Sequence, residues 1–187
     1  LAAVFGCLTG LAQRIPVDTT VLRDVAYADG GHERQKLDLY IPRGATNAPL
    51  VVWIHGGGWQ DGSKERCRAL GLLADGFAVA SINYRLSQHA PFPAQIEDCK
   101  AAIRWLRVHA AEQGVDATRI GVWGSSAGGH LAALLGTSGD VAAFDVGPNT
   151  NVSSRVQAVC DWYGPSDFTV LRRPGNASRP EREGSPA

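Results

Sequence analysis

Polar and apolar residues interleave in one way near the start of this chain and in another further on. Val21-Leu22-Arg23-Asp24-Val25-Ala26-Tyr27 and Lys36-Leu37-Asp38-Leu39-Tyr40-Ile41 alternate between the two kinds, the period of two expected of strands with one buried and one wet face. Asp29-Gly30-Gly31 marks the turn between them and Pro42 closes the second, so the pair predicts an antiparallel hairpin at a sheet edge. Later runs are almost wholly apolar: Leu50-Val51-Val52-Trp53-Ile54, Phe77 to Tyr84, Arg119-Ile120-Gly121-Val122-Trp123 and Val156 to Tyr163. Short continuous runs of this kind predict strands covered on both faces.

Between the runs the period changes. Ile96, Cys99, Ile103, Leu106 and Ala110 recur at helical spacing, while Glu97, Asp98, Lys100, Arg104 and Arg107 fall on other faces. That predicts a helix from Ala94 to Gln113, stopped by Gly114. Ser63 is placed to cap a second helix through Ala74, with Leu70, Leu72 and Leu73 on its apolar side and Gly76 at its end. Leu131-Ala132-Ala133-Leu134-Leu135 reads as a third. Strands alternating with helices predict an α/β fold, a mostly parallel sheet with helices on both faces.

Composition narrows the picture. A chain of 187 residues suits one domain with a sizeable core. Its 18 basic residues balance 18 acidic ones without a basic run, which excludes nucleic acid as the expected partner. No apolar stretch reaches the ~18 residues of a membrane span. The chain contains no methionine, and Leu1 to Ala12 reads as the later part of a secretory segment, with Gly10-Leu11-Ala12 as a small-x-small cleavage site. Export is therefore expected. Residues 21–168 form the predicted domain, and 172–187, all polar, Gly, Pro or Ala, are expected to be a disordered tail. In an oxidising compartment Cys160 is expected to stay a buried free thiol, and Cys67 with Cys99 is the pair expected if a disulfide forms.

Two short stretches carry chemistry. Gly124-Ser125-Ser126-Ala127-Gly128-Gly129-His130 joins a predicted strand to a predicted helix and contains G-x-S-x-G, the elbow that holds a serine on a strained turn with its hydroxyl exposed. Alone, five small residues occur by chance in glycine-rich loops. The second stretch, His55-Gly56-Gly57-Gly58-Trp59, follows the predicted third strand, where an oxyanion loop is expected. Together they predict Ser126 as a nucleophile, with the N–H groups of Gly57, Gly58 and Ala127 converging on a developing oxyanion. His55, Gly56, Gly124 and Gly128 would support loop and elbow. Glycine at 124 and 128 is expected because strand and helix backbones approach closely there. Gly57→Val is expected to remove oxyanion stabilisation while leaving the fold mostly intact.

With Leu37-Asp38-Leu39-Tyr40, Ser81-Ile82-Asn83-Tyr84-Arg85 and Asp161-Trp162-Tyr163-Gly164-Pro165 added, the chain resembles the bifunctional feruloyl and acetylxylan esterase-like family of α/β-hydrolases. That resemblance implies a serine esterase of small acyl or aryl esters, including those on plant polysaccharide, that needs no cofactor or metal. It also implies a chain order of serine, then acid, then histidine. No histidine follows His130, and the chain matches the family only through the sixth of its eight strands. The catalytic acid and histidine are thus expected to lie outside this chain. His130, four residues beyond Ser126 on the helix, is expected to point away from the hydroxyl. His32, His89 and His109 read as surface residues, and Asp161 and Asp167 as structural. Two other readings compete: a non-catalytic hydrolase-like binding domain, and a peptidase related to the prolyl oligopeptidases, which usually lacks the H-G-G-G loop.

Overall fold

The computed structural model describes residues 15–169; the predicted export segment, Cys7 and the predicted tail lie outside them. Six strands form one sheet: β1 (Thr19–Ala26), β2 (Lys36–Pro42), β3 (Ala48–Ile54), β4 (Ala78–Ile82), β5 (Val115–Ser125) and β6 (Ala158–Trp162). Their spatial order is β1-β2-β4-β3-β5-β6. β1 pairs antiparallel with β2, and β2 antiparallel with β4. From β4 through β3 and β5 to β6 every pairing is parallel. The sheet is therefore mixed and mostly parallel.

Alternation along β3 separates two cores. Leu50, Val52 and Ile54 join Ile96, Cys99, Ile103 and Leu106 of α1 (Ala94–His109) and Leu131 and Leu135 of α2 (Ala127–Thr137) in the larger cluster. Trp53 and Val51 face the other way, against Tyr40, Val79, Cys67, Leu70 and Leu73. That second face is covered by a 3₁₀ segment, Arg68–Asp75.

Five expectations need correction. The helix predicted from Ser63 begins only at Arg68, after an extended Cys67 that makes no side-chain cap bond. The reason is Lys64, whose N–H donates to Asn83 Oδ1 at 2.7 Å and whose ammonium reaches Asp38 at 2.8 Å, which holds the segment away from helical geometry. The hairpin is also not wet along β2: Leu37 to Ile41 are all buried, and Asp38 is 0 % exposed. Of the two hairpin strands, only β1 lies at a sheet edge. Cys160 is exposed, because β6 carries a partner on one side alone and its residues are open on both faces. Cys67 and Cys99 are free and buried in clusters on opposite sheet faces, so they do not pair. The long helix ends at His109, with a short 3₁₀ turn, Ala111–Gln113, before Gly114.

Candidate active site

β5 delivers its chain end to a turn at Ser126, and α2 starts at the next residue. Ser126 stands at φ 54 and ψ −121, a conformation L-residues rarely adopt and one that costs about 1–3 kcal/mol unless the surroundings impose it. They do so by close approach. A Cβ on Gly124 would stand 2.0 Å from the Gly128 carbonyl oxygen, and one on Gly128 would stand 2.1 Å from that of Ile54 and 2.5 Å from that of His55. The elbow is thus pressed against the end of β3. The Ser126 N–H donates to Trp162 O at 2.8 Å, tying the turn to β6 as well.

The loop after β3 meets the elbow from the other side. A Cβ on Gly56 would lie 2.7 Å from Ser125 O and 3.3 Å from Ser126 Cβ. Gly57, Gly58 and Trp59 follow with φ of 117, 59 and 58, so three successive residues turn through left-handed backbone. The Gly57 carbonyl accepts the N–H groups of Gln60 and Asp61, each at 3.0 Å. The N–H groups of Gly57, Gly58 and Ala127 donate to no acceptor among the described residues. Free donors at a helix start and in a tight loop are the arrangement that receives an anionic oxygen. Gly57→Val, expected to spare the fold, would instead drive a Cβ to 2.2 Å from the Asp61 carbonyl oxygen at a strained φ.

His55 is buried, and its ring stacks on Tyr84 with centroids 4.4 Å apart. Arg34 Nη2 donates to His55 Nε2 at 3.2 Å. A guanidinium has no lone pair to offer, so Nε2 is the acceptor and Nδ1 carries the proton, donated to Gly56 O at 2.7 Å. Burial first, and then the Arg34 charge, pull the His55 pKa down to about 4, and the ring is neutral at pH 7. Arg34 also donates to Tyr84 O at 2.9 Å and Gly62 O at 2.9 Å, and Tyr84 Oη donates to His55 O at 2.9 Å. Arg34 had no distinguishing signal in the sequence: it sits in the polar turn His32-Glu33-Arg34-Gln35-Lys36, which reads as solvated.

The remaining predicted residues are placed plainly. His130 packs edge-on against Trp59 and Phe168, its Nδ1 buried without a partner and its pKa lowered by burial. Asp161 Oδ1 accepts the Gly164 N–H at 2.8 Å, and Asp167 accepts from Thr169. His32 and His89 lie against each other, and His109 stacks on Trp105. None of these imidazoles is hydrogen-bonded to a carboxylate among the described residues, and no group of three or more His, Cys, Asp or Glu there is arranged to hold a metal. No described helix is long and apolar enough to cross a membrane.

Two cavities adjoin these residues. One, about 750 Å³, is lined by His55, Gly56, Gly57 and Ser125 together with charged residues of the following loop such as Asp61 and Arg66. The other, about 440 Å³, is apolar and lies between Trp59, Phe92, His130, Leu131, Leu134 and Phe168.

Comparison with known proteins bears on the same region. A model of the BD-FAE family matches residues 37–185. The bifunctional GH43-CE protein of Bacteroides eggerthii is 42 % identical with a TM-score of 0.76, over 80 % of this chain and 21 % of that one. A truncated form of a carbohydrate esterase from gut microbiota is 37 % identical with a TM-score of 0.75, over 80 % of this chain and 58 % of that one. The carboxylesterase NlhH of Mycobacterium tuberculosis is 44 % identical over 95 residues, 48 % of this chain. The chain spans only 29 % of the length of that carboxylesterase.

Proposed function

The chain belongs to the BD-FAE family, and from that premise we propose that it carries the nucleophile and oxyanion half of a serine carboxylic ester hydrolase. Ser126 Oγ attacks the ester carbonyl carbon, and the carbonyl oxygen gains negative charge as the C–O π bond opens. Gly57, Gly58 and Ala127 donate to that oxygen. Collapse of the tetrahedral adduct expels the alcohol and leaves the acyl group on Ser126 until water removes it. The apolar cavity beside Trp59 receives the apolar part of the ester, because Trp59 follows Gly58 directly and His130 and Leu131 continue the helix that Ser126 begins. The carbohydrate-esterase and carboxylesterase names of the similar proteins favour this reaction class over peptide cleavage.

The single observation that carries the reading is a serine held at φ 54 with Gly56 of the glycine loop packed against it, while the N–H groups of Gly57, Gly58 and Ala127 have no acceptor among the described residues. Proton transfer is assigned elsewhere. His55 is neutral, with both ring nitrogens engaged, and His130 has no carboxylate partner. We therefore place the general base and its orienting acid outside the 187 residues. The test is hydrolysis of 4-nitrophenyl acetate and fluorophosphonate labelling by the complete gene product, beside its Ser126→Ala variant. Turnover and labelling that both vanish in Ser126→Ala are expected. A complete gene product inert to ester and probe alike would instead favour a non-catalytic binding domain.

A further inference from the structure

We propose that Arg34 is a positioning residue for the oxyanion loop, acting on the Gly57 donor through His55 and the peptide bond between Gly56 and Gly57. The inference rests on the assignment of Gly57 N–H as an oxyanion donor. Its geometry is a chain of hydrogen bonds running one way. Arg34 Nη2 donates to His55 Nε2 at 3.2 Å, and His55 Nδ1–H donates to Gly56 O at 2.7 Å. Gly56 C=O and Gly57 N–H belong to one planar trans peptide unit and point in opposite directions. Fixing the oxygen therefore fixes where the N–H aims.

The loop needs such a device. With Gly57 at φ 117 and no side chain, the Gly56–Gly57 peptide has little to hold its plane. Arg34 also chooses the tautomer. In the other neutral tautomer, or in the imidazolium, Nε2 would carry a hydrogen facing the guanidinium, and in the former Nδ1 could not donate to Gly56 O. The charge travels with the geometry, because each donated bond polarises the next group into a better donor. A permanent, half-buried cation behind the loop is thereby felt at a peptide N–H it does not touch. Arg34 is itself anchored by Tyr84 O and Gly62 O, both at 2.9 Å, so its Nη2 has little freedom to leave the ring. The other charged or titratable groups acting on His55 are Asp61 and Glu65 of the same loop region, and Tyr84 is stacked on its face.

The first test uses the 187-residue chain and needs no catalysis. In long-range ¹H–¹⁵N spectra the His55 ring should show a protonated Nδ1 and an unprotonated Nε2 across pH 5 to 8. In Arg34→Gln the ring should become a tautomer mixture, titrate at higher pH, and carry a shifted Gly57 amide resonance. Tyr84→Phe removes a different brace of the same loop and should leave the tautomer in place, which separates tautomer control from loosening alone. An unchanged Nδ1–H tautomer in folded Arg34→Gln, or an Nε2–H tautomer in the wild type, overturns the proposal. In the complete gene product at neutral pH Arg34→Gln should lower kcat about tenfold with KM within about twofold, below the ~10² of losing a donor outright. Relative to wild type the deficit should narrow as pH falls, because the imidazolium again carries Nδ1–H, and it should be smaller in Arg34→Lys. A Ser126-dependent enzyme whose kcat and pH profile ignore Arg34→Gln contradicts the relay and leaves the serine assignment standing. Failure of the serine assignment would show instead as activity surviving Ser126→Ala.

Discussion

On the β3 side of Ser126, the loop from His55 to Ser63 is tied down by Arg34, Tyr84 and Asn83, whose groups bond His55, Gly62 and Lys64. On the β6 side, Val159, Trp162 and Tyr163 are 43 %, 38 % and 69 % exposed, and the ties to the elbow are backbone ones, the ladder that sets Gly124 and Ser125 beside Asp161 and Trp162 and the bond from Ser126 N–H to Trp162 O. The difference follows from what each side must hold. A loop with φ above zero at Gly57, Gly58, Trp59 and Gly62 is not a conformation that burial alone selects, so side chains pin it from three directions. β6 is regular backbone and needs only its ladder with β5. The half of the site that we assign to charge stabilisation is thus preorganised by residues of this chain, while the half that would move a proton is not assembled among the described residues.

The comparison can be broken most severely at the seam between loop and elbow. Gly128→Val would force a Cβ into the Ile54 and His55 carbonyl oxygens, backbone atoms that cannot give way, and should cost more than about 4 kcal/mol or abolish the cooperative urea transition. Next comes the charge cluster beneath the loop. Asp38 is 0 % exposed and paired with Lys64 at 2.8 Å and Arg23 at 3.1 Å. Asp38→Ala leaves Lys64 buried with its more exposed partners Asp24 and Glu65, and should cost about 3 kcal/mol by the same measurement.

Acid sharpens the contrast further. His55 has its folded pKa lowered from 6.5 to about 4, so between those values the unfolded chain binds more protons than the folded one. Its contribution is fully present above pH 6.5 and is lost as pH falls toward 4, by roughly 3 kcal/mol at most. The stability difference between wild type and His55→Asn, followed from pH 7 to pH 4, should shrink across that window. A difference independent of pH would mean that His55 is not held neutral. On the open side, Val159→Thr should change stability by less than about 0.5 kcal/mol; a loss several times larger would show that β6 is as constrained as the loop.

Much of this was legible in the sequence, and the exceptions share a cause. Alternation located the first two strands and apolar runs the other four, and the glycines at 124 and 128 announced a close approach that the carbonyl contacts then explain. Asp38 misled because a carboxylate in an alternating run reads as wet, whereas a lysine 26 positions later comes to pair with it inside the protein. The same lysine bond removed the helix predicted from Ser63. Cys160 misled in the opposite direction, since an apolar strand is buried only if something covers it, and coverage is not a property of the strand. Arg34 was silent because its partners His55, Gly62 and Tyr84 lie 21, 28 and 50 positions away. Local pattern reports period and turn chemistry; it does not report which distant polar group will arrive as a partner.

Hydrolysis of 4-nitrophenyl acetate by the purified 187-residue chain, beside its Ser126→Ala variant, tests our proposal that these residues supply the nucleophile and oxyanion donors of an esterase site and that the base lies elsewhere. Loss of any member of a serine triad leaves only the ~10³ to 10⁴-fold residual from binding and oxyanion stabilisation, so the account predicts two slow rates within about twofold of each other. A fast rate that disappears in Ser126→Ala would place the base within these residues and contradict the account.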